Sequence, residues 1–192
     1  MLSRTDMSTP ELRNFRLIHP RIGLGGITRE LEHNPLAWAL STQRQTLCLE
    51  QRETQSIVLR RGAPADADER IENCHVTVDA VAAPYFPVTL AWVRATADTL
   101  GGELGRVLFA RLPPQCQVYR HFDYGTYYAC RDRYHLVIES RGGSLMVCGE
   151  ERVVMQQGEL WRFDNKLPHE AFNPSDSPRV HLIFDLLMKE HA

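Results

Sequence analysis

The C-terminal half of the chain is a series of short β-rich segments, and this texture restricts the possible folds more than any other feature. From Gly105 onward, runs such as GRVLFARL, YHLVIES and RVHLIFDLL alternate with turn-forming sequences such as PPQ, QQG and NPSDSP. Short strands at this spacing, with turns between them, are typical of an antiparallel sandwich or barrel. We therefore predict a mainly β protein, a double-stranded β-helix (a cupin-like jelly roll) with flanking helices.

The first half of the chain is less regular but contains two clear signals. The sequence QSIVLR at 55–60 is rich in β-branched residues and predicts a strand. Between Pro87 and Leu100 apolar residues recur at helical spacing, and Gly101 supplies a left-handed stop, so we predict a helix that backs the sheet. We expect residues 1–192 to form a single domain, with 1–104 as a helical, substrate-side region and 105–188 as the barrel core.

Charge and cysteine content exclude several classes of protein. The chain has 22 basic and 24 acidic residues, interspersed and without a basic block, so neither nucleic acid nor a membrane surface is an expected partner. The five cysteines are an odd number without a Cys-x-x-Cys pair, which argues against a disulfide framework and against a zinc finger. No apolar run has the length of a signal peptide or a membrane span, so we expect a cytoplasmic protein.

The sequence RHFDYG at 120–125 holds the first candidate metal ligands. If this stretch is extended, His121 and Asp123 point to one side while Phe122 and Tyr124 point to the other, because strand side chains alternate. By itself a His-x-Asp pair is a weak signal, since histidine and aspartate are common on strand faces that meet water.

His169 supplies a third candidate ligand. It lies in the loop DNKLPHE, which we expect to bring it back to the mouth of the same barrel as His121 and Asp123. Two histidines and one carboxylate form the facial triad of non-haem Fe(II) oxygenases, which leaves coordination positions open for a bidentate co-substrate and O₂. We therefore predict that these three residues bind the metal and form the catalytic centre.

Arg179 begins the strand RVHLIFD, ten positions after His169. Because the turn PSDSP reverses the chain, the guanidinium could enter the pocket, where it would need a carboxylate partner. It could equally pair at the surface with Asp176 or Asp164. The spacing leaves both interpretations open.

Three separated blocks of sequence resemble one known family. The runs RLPPQCQVYRHFDYG, RDRYHLVIES and GELWRFDNKLPHEAFNPSDSPRVHLIFD are similar in order and spacing to the aspartyl/asparaginyl β-hydroxylase family of Fe(II)- and 2-oxoglutarate-dependent oxygenases. The resemblance covers about Gly105 to Leu187. It implies that His121, Asp123 and His169 bind iron and that Arg179 holds the distal carboxylate of 2-oxoglutarate.

The same resemblance implies that Arg133 and His135 line the pocket and contact the co-substrate and the substrate carboxylate. Period-two alternation places both on one strand face, and a basic pair that faces inward must meet an anion. We expect the anion at Arg133 to be a substrate carboxylate. The alternative is an outward-facing Arg133 in a surface pair with Asp132 or Glu139. His181 we expect to be satisfied by a neighbouring group, without binding metal.

These features predict a dioxygenase that uses Fe(II), 2-oxoglutarate and O₂ to hydroxylate an unactivated C–H bond of an amino acid or amino-acid side chain. The substrate could be free, carrier-bound or part of a peptide. The alternative function is a cupin-type hydrolase, isomerase or small-ligand sensor, since the same ligands would also hold Zn²⁺ or Mn²⁺. Arg179 distinguishes the two functions, because a hydrolase has no need of a clamp for a distant carboxylate. A non-catalytic interaction domain would leave the convergent ligands unexplained.

Overall fold

The structure is a computed structural model that describes residues 12–65, 68–141 and 144–189. Its strands, in chain order, are β1 Phe15–His19, β2 Gln55–Gly62, β3 Thr77–Asp79, β4 Gly102–Leu112, β5 Gln117–His121, β6 Asp132–Glu139, β7 Leu145–Cys148, β8 Glu151–Val154, β9 Leu160–Phe163, β10 His169–Phe172 and β11 Arg179–Met188. Its α-helices are α1 Gly25–His33, α2 Gln43–Leu47, α3 Pro87–Leu100 and α4 Thr126–Ala129. Short 3₁₀ helices span Pro35–Ala39, Leu49–Gln51, Ile71–Asn73 and Ala83–Tyr85.

The strands form two antiparallel sheets. The larger sheet has the order β1-β9-β6-β11-β4-β2-β3, and the smaller has the order β5-β10-β7-β8. Apolar side chains from β6 and β9 of the large sheet pack against others from β7 and β8 of the small sheet, so the two sheets lie face to face. This is the mainly β, antiparallel jelly-roll architecture that the sequence predicted.

The large sheet is covered on both faces, and this explains why its central strands read as nearly continuous apolar runs. On one face, Leu182 and Phe184 of β11 belong to the main core together with Leu90 and Val93 of α3. The alternate residues of β11 turn toward the small sheet, and the same alternation holds in β6. Polar residues at these alternate positions therefore lie between the sheets.

Most of the predicted elements are confirmed. Helix α3 has the predicted bounds, and Gly101 ends it in the left-handed conformation at φ 74°. The strand predicted from QSIVLR is β2. His169, which we expected in a loop, is the first residue of β10, so the loop ends at Pro168 and not at Glu170.

The larger sheet crosses the boundary that we placed between residues 104 and 105. Strands β1, β2 and β3 come from the region expected to be helical, and β4 begins at Gly102. The first half of the chain therefore supplies sheet edge as well as covering helices. Among the described residues, no helix is both long and apolar enough to cross a membrane.

Gly125 lies in the turn after β5, and substitution of this glycine tests the backbone conformation and close packing of the turn. Its φ is 98°, and a side chain there would collide with the backbone carbonyl of Glu72 and with Asn73 Oδ1. Gly101 also has positive φ, at 74°, but a Cβ atom at this position would meet no other group within 4 Å. We expect Gly101→Ala to cost about 1–2 kcal/mol from backbone strain, and Gly125→Ala to cost more because it adds the collision.

Urea unfolding of the two variants measures the difference in their free energies of unfolding. A Gly125→Ala variant that is no less stable than Gly101→Ala would contradict the close approach of the 71–73 segment to this turn.

Candidate functional site

Strands β5 and β10 bring two histidines together. His121 and His169 are direct partners in the antiparallel ladder, so their side chains leave the small sheet on the same face. Their ring centroids are 4.4 Å apart. The two predicted ligands, 48 positions apart in the sequence, therefore become neighbours through strand pairing.

Backbone carbonyl groups fix the orientation of both imidazole rings. His121 Nδ1 lies 2.7 Å from the carbonyl oxygen of Tyr119, and His169 Nδ1 lies 2.9 Å from that of Leu167. Because a carbonyl oxygen only accepts hydrogen bonds, each Nδ1 carries a proton, and in a neutral ring Nε2 is then the nitrogen that presents a lone pair. Burial lowers the pKa of His169 to about 4, so this ring is neutral near pH 7.

Asp123 completes the group from the turn after β5. Its backbone N–H donates to the carbonyl of Asn165, and its Oδ2 accepts hydrogen bonds from Asn165 Nδ2 at 3.2 Å and Arg133 Nη1 at 2.8 Å. Its Oδ1 lies 3.9 Å from His121 Nε2. One ligand atom from each of His121, Asp123 and His169 lies within 4.8 Å of the others, so the structure brings the predicted trio together.

The carboxyl group of Asp123 is held in its ionised form. Burial by itself would raise its pKa, but the positive charge of Arg133 and the hydrogen bond from Asn165 act in the opposite direction, and the net pKa is lowered. An ionised carboxylate beside the neutral imidazole of His169 fits the protonation state that a divalent metal requires of its ligands.

Arg133 faces inward as predicted, but its anionic partners belong to the chain itself. Its Nε and Nη2 donate to the two oxygens of Asp185 at 2.8 and 3.0 Å, while its Nη1 donates to Asp123. Arg133 and Asp185 are direct partners in the β6–β11 ladder. The alternative surface pair is absent, since Arg133 is buried and Asp132 pairs with Arg162. The pairing with Asp185 and Asp123 thus corrects our expectation of an external anion at this guanidinium.

Arg179 also enters the interior, and no carboxylate in the described part of the chain pairs with it. It is 5 % exposed, and its Nη2 contacts Met146 Sδ at 3.8 Å and donates to His181 Nδ1 at 3.1 Å. Its Nε is buried without a hydrogen-bond partner. Burial lowers the pKa of Arg179 to about 10, which still leaves it charged at neutral pH. The surface interpretation, with Asp176 or Asp164, is therefore wrong.

His135 and His181 form a buried imidazole pair beside Arg179. Their Nδ1 atoms are 3.2 Å apart, and both Nε2 atoms lack a partner within the described ranges. Burial, reinforced by the positive charge of Arg179, lowers the pKa of each ring well below its ordinary value, so both are neutral. His181 contacts its neighbours as expected, although only through one of its nitrogens.

One pocket between the sheets contains most of the predicted site residues. Its lining consists of Arg44, Val118, His121, Arg133, His135, Met146, Phe163, His169, Glu170, Ala171 and Arg179. Asp123 lies behind the wall, where it bonds to Arg133. The arrangement combines a candidate metal centre with a positively charged recess.

Sequence reasoning missed three polar residues around this pocket. Asp185 stands within the apolar run RVHLIFDLL, and a buried carboxylate in such a strand signals a cationic partner. Asn165, which holds Asp123, and Arg44, which enters the pocket from α2, gave no comparable signal in their local sequence.

Comparison with known proteins agrees with this architecture and site. The sequence profile described as aspartyl/asparaginyl beta-hydroxylase matches residues 71–189, and the chain belongs to this family of hydroxylases. No curated protein matches the chain.

Two solved structures share the fold. A Pseudomonas putida prolyl-4-hydroxylase is 17% identical, covers 92% of this chain and 94% of its own, and superposes with a TM-score of 0.54. An oxidoreductase of the 2OG-Fe(II) oxygenase family from Burkholderia pseudomallei is 14% identical, with coverage of 72% and 70% and a TM-score of 0.52. At these identities the likeness concerns the fold alone.

The ion pair between Arg133 and Asp185 can be tested by Asp185→Asn. This change weakens two of the three hydrogen bonds of a buried guanidinium, which keeps Asp123 as its carboxylate partner, and we expect a loss of about 1.5–3 kcal/mol in the free energy of unfolding. The matched control is Asp132→Asn, whose partner Arg162 is 38% exposed. A partly exposed pair should contribute less than about 1 kcal/mol. Urea unfolding measures both, and equal losses would contradict a structural role for Asp185.

The buried imidazole of His181 predicts a pH dependence of stability. Its pKa in the folded protein lies below that of the unfolded chain, so below about pH 6.5 the unfolded state binds a proton that the folded state does not. Stability should therefore fall as the pH is lowered from 6.5, by about 1.4 kcal/mol per pH unit for each such histidine.

The variant His181→Gln keeps a hydrogen-bond acceptor for Arg179 but does not titrate in this range. It should therefore reduce the slope of the unfolding free energy against pH by up to about 1.4 kcal/mol per pH unit. The slope is obtained from urea unfolding between pH 7 and 5, and a slope identical to that of the parent protein would contradict the prediction.

Proposed function

We propose that this protein is an Fe(II)- and 2-oxoglutarate-dependent dioxygenase that hydroxylates an unactivated C–H bond of an amino acid or amino-acid side chain. The observation that carries the proposal is Arg179. It is a buried cation without a carboxylate partner among the described residues, and it lines the same pocket as His121 and His169. A charge buried in this way requires an anion, and a dicarboxylate anchored at the metal would provide it.

The donor set fits Fe(II). Two neutral imidazole nitrogens and one carboxylate oxygen, converging from one side, are the ligands of the facial-triad iron sites. The Nδ1 contacts of His121 and His169 fix the ligating tautomers, and the contacts to Asp123 Oδ2 leave Oδ1 directed at the histidines. Outer hydrogen bonds of this kind orient metal ligands before the metal binds.

When bound, Fe(II), 2-oxoglutarate and O₂ together supply the oxidising chemistry, in which 2-oxoglutarate becomes succinate and CO₂ while one oxygen atom enters a substrate C–H bond. The chain's own residues bind and orient these groups. Arg179 holds the distal carboxylate through a two-pronged, charge-assisted hydrogen bond. His135 offers an unpartnered Nε2 to the same pocket.

Other residues hold the proposed metal ligand Asp123 in place and limit the access of water to the pocket. Arg133 forms ion pairs with both Asp123 and Asp185. It thereby connects Asp123 to the centre of the large sheet. Apolar side chains of Val118, Met146, Phe163 and Ala171 line the pocket and limit the access of water. We also propose that residues 1–192 act as a single oxygenase domain, because the large sheet takes strands from both halves.

Anaerobic titration of the Fe(II)-loaded protein with 2-oxoglutarate tests the proposal. Removing the fork and the charge in Arg179→Ala should cost about 2–5 kcal/mol of binding free energy, at least about 30-fold in affinity. Arg179→Lys keeps the charge but loses the fork, so it should lose less. Calorimetry gives the affinities, and succinate formation with an amino-acid panel gives the activity.

Arg120→Ala is the matched control, since Arg120 is 45% exposed and pairs with Glu170 at the rim of the pocket. It should leave the affinity for 2-oxoglutarate unchanged. If Arg179→Ala also binds 2-oxoglutarate like the parent protein, the proposed clamp is wrong.

A further inference from the structure

A second arginine without a carboxylate partner reaches the pocket from the N-terminal half. Arg44 belongs to the five-residue helix α2, and its side chain lines the pocket together with His121, Arg133 and Arg179. The residue lies outside the 71–189 region that the family profile matches. Its presence at the site is therefore a property of this chain's own N-terminal segment.

Contacts to β5 hold this segment over the candidate metal centre. The carboxylate of Glu53 accepts hydrogen bonds from the Tyr119 hydroxyl at 2.5 Å and from the backbone N–H of Gln117 at 2.8 Å. The guanidinium of Arg52 lies 3.6 Å from the centre of the Tyr119 ring. Gln51 Nε2 lies 3.4 Å from His121 Nε2. The segment 43–54 thus forms one wall of the site.

The guanidinium of Arg44 is short of partners. Its Nε is buried without a hydrogen bond, and no ion pair joins Arg44 to any residue in the part of the chain that the structure describes. Burial and then the nearby positive charge of Arg133 lower the pKa of Arg44. The unpartnered Nε of Arg44 is buried in a positive environment, so this guanidinium needs an anion that the described part of the chain does not provide.

A count of the charges around the pocket gives the net charge that this anion must carry. Arg44, Arg133 and Arg179 face the two carboxylates of Asp123 and Asp185, since the exposed Glu170 is paired with Arg120. The buried histidines are neutral. A divalent metal and a dianionic co-substrate balance each other, so one positive charge remains. Arg179 binds the co-substrate in the proposed function, and Arg133 is already paired with carboxylates of the chain. The positive charge that lacks a counter-ion is therefore that of Arg44.

We propose that Arg44 binds a single carboxylate of the primary substrate and thereby selects for it, an inference that rests on the proposed function. The substrate is accordingly a small molecule or residue whose carboxylate lies beside the C–H bond to be hydroxylated. Two sources have this chemistry: the α-carboxylate of a free amino acid and the side-chain carboxylate of an aspartyl residue in a peptide.

Calorimetry on the anaerobic protein distinguishes these sources. The protein is first loaded with Fe(II) and titrated with 2-oxoglutarate, and the affinity for 2-oxoglutarate is recorded. It is then titrated with free L-proline and L-asparagine, with the α-amides of the same two, and with N-acetyl-L-aspartic acid α-amide and its neutral counterpart N-acetyl-L-asparagine α-amide. The free acids report an α-carboxylate site, and the N-acetylated amide reports a side-chain carboxylate site.

We expect the parent protein to bind at least one carboxylate-bearing probe about tenfold or more tightly than its neutral counterpart. Arg44→Gln should abolish this preference while it changes the affinity for 2-oxoglutarate less than about threefold, and Arg44→Lys should keep part of the preference. Arg94→Gln is the matched control, because Arg94 is an exposed arginine of the N-terminal half that pairs with Asp79 and does not line the pocket. It should retain the preference of the parent protein.

The inference is overturned if Arg44→Gln keeps the preference, if the parent binds acids and amides equally, or if no probe binds although 2-oxoglutarate does. Failure of the parent protein to bind 2-oxoglutarate overturns the proposed function instead, and this inference with it.

Discussion

The buried chain of charges from Asp185 through Arg133 to Asp123 is the interaction on which the site depends. Arg133 and Asp185 sit opposite each other on the two central strands of the large sheet. Because Arg133 also donates to Asp123, it connects a residue of a turn to the most buried ladder of the fold. The position of Asp123 in the turn after β5 is thereby fixed relative to the large sheet, which the proposed role of Asp123 as a metal ligand requires. Without this connection, only Asn165 would hold the Asp123 side chain by a hydrogen bond.

Strands β6 and β11 carry apolar residues that stabilise the fold and, at alternate positions, charged and polar residues that line or adjoin the pocket. Strands β6 and β11 direct one set of residues at the helices, where apolar packing stabilises the protein, and the alternate set at the small sheet. The second set includes Arg133, whose charge Asp123 and Asp185 balance, and Arg179, His135 and His181, whose burial is unfavourable in the absence of ligands. The free-energy cost of burying polar groups is concentrated at Arg44 and Arg179, whose buried Nε atoms have no hydrogen-bond partner among the described residues. The protein is therefore built around a pocket whose electrostatics are completed by what binds there.

Local pattern predicted part of this arrangement, and non-local pairing determined the rest. That Arg133 and His135 share one strand face was predicted from the two-residue period of a strand, and that this face points inward was predicted from the family resemblance. The partner of Arg133 was not, because it depends on the register that places Asp185 across the ladder, 52 residues away. Strand β10 has only four residues, HEAF, too few for a clear pattern. Arg44 lies in the polar sequence QRQTL, and its position depends on the contact between Glu53 and Tyr119, 66 residues apart.

The two halves of the chain reach the pocket under different constraints. His121, His169, Arg133 and Arg179 stand on strands whose ladders fix them, so changing their positions would require a change of register. The segment 43–54, by contrast, is attached to β5 mainly through the side chains of Gln51, Arg52 and Glu53. If Arg44 selects the substrate as proposed, substrate preference belongs to this segment, whereas His121 and His169 belong to the strands.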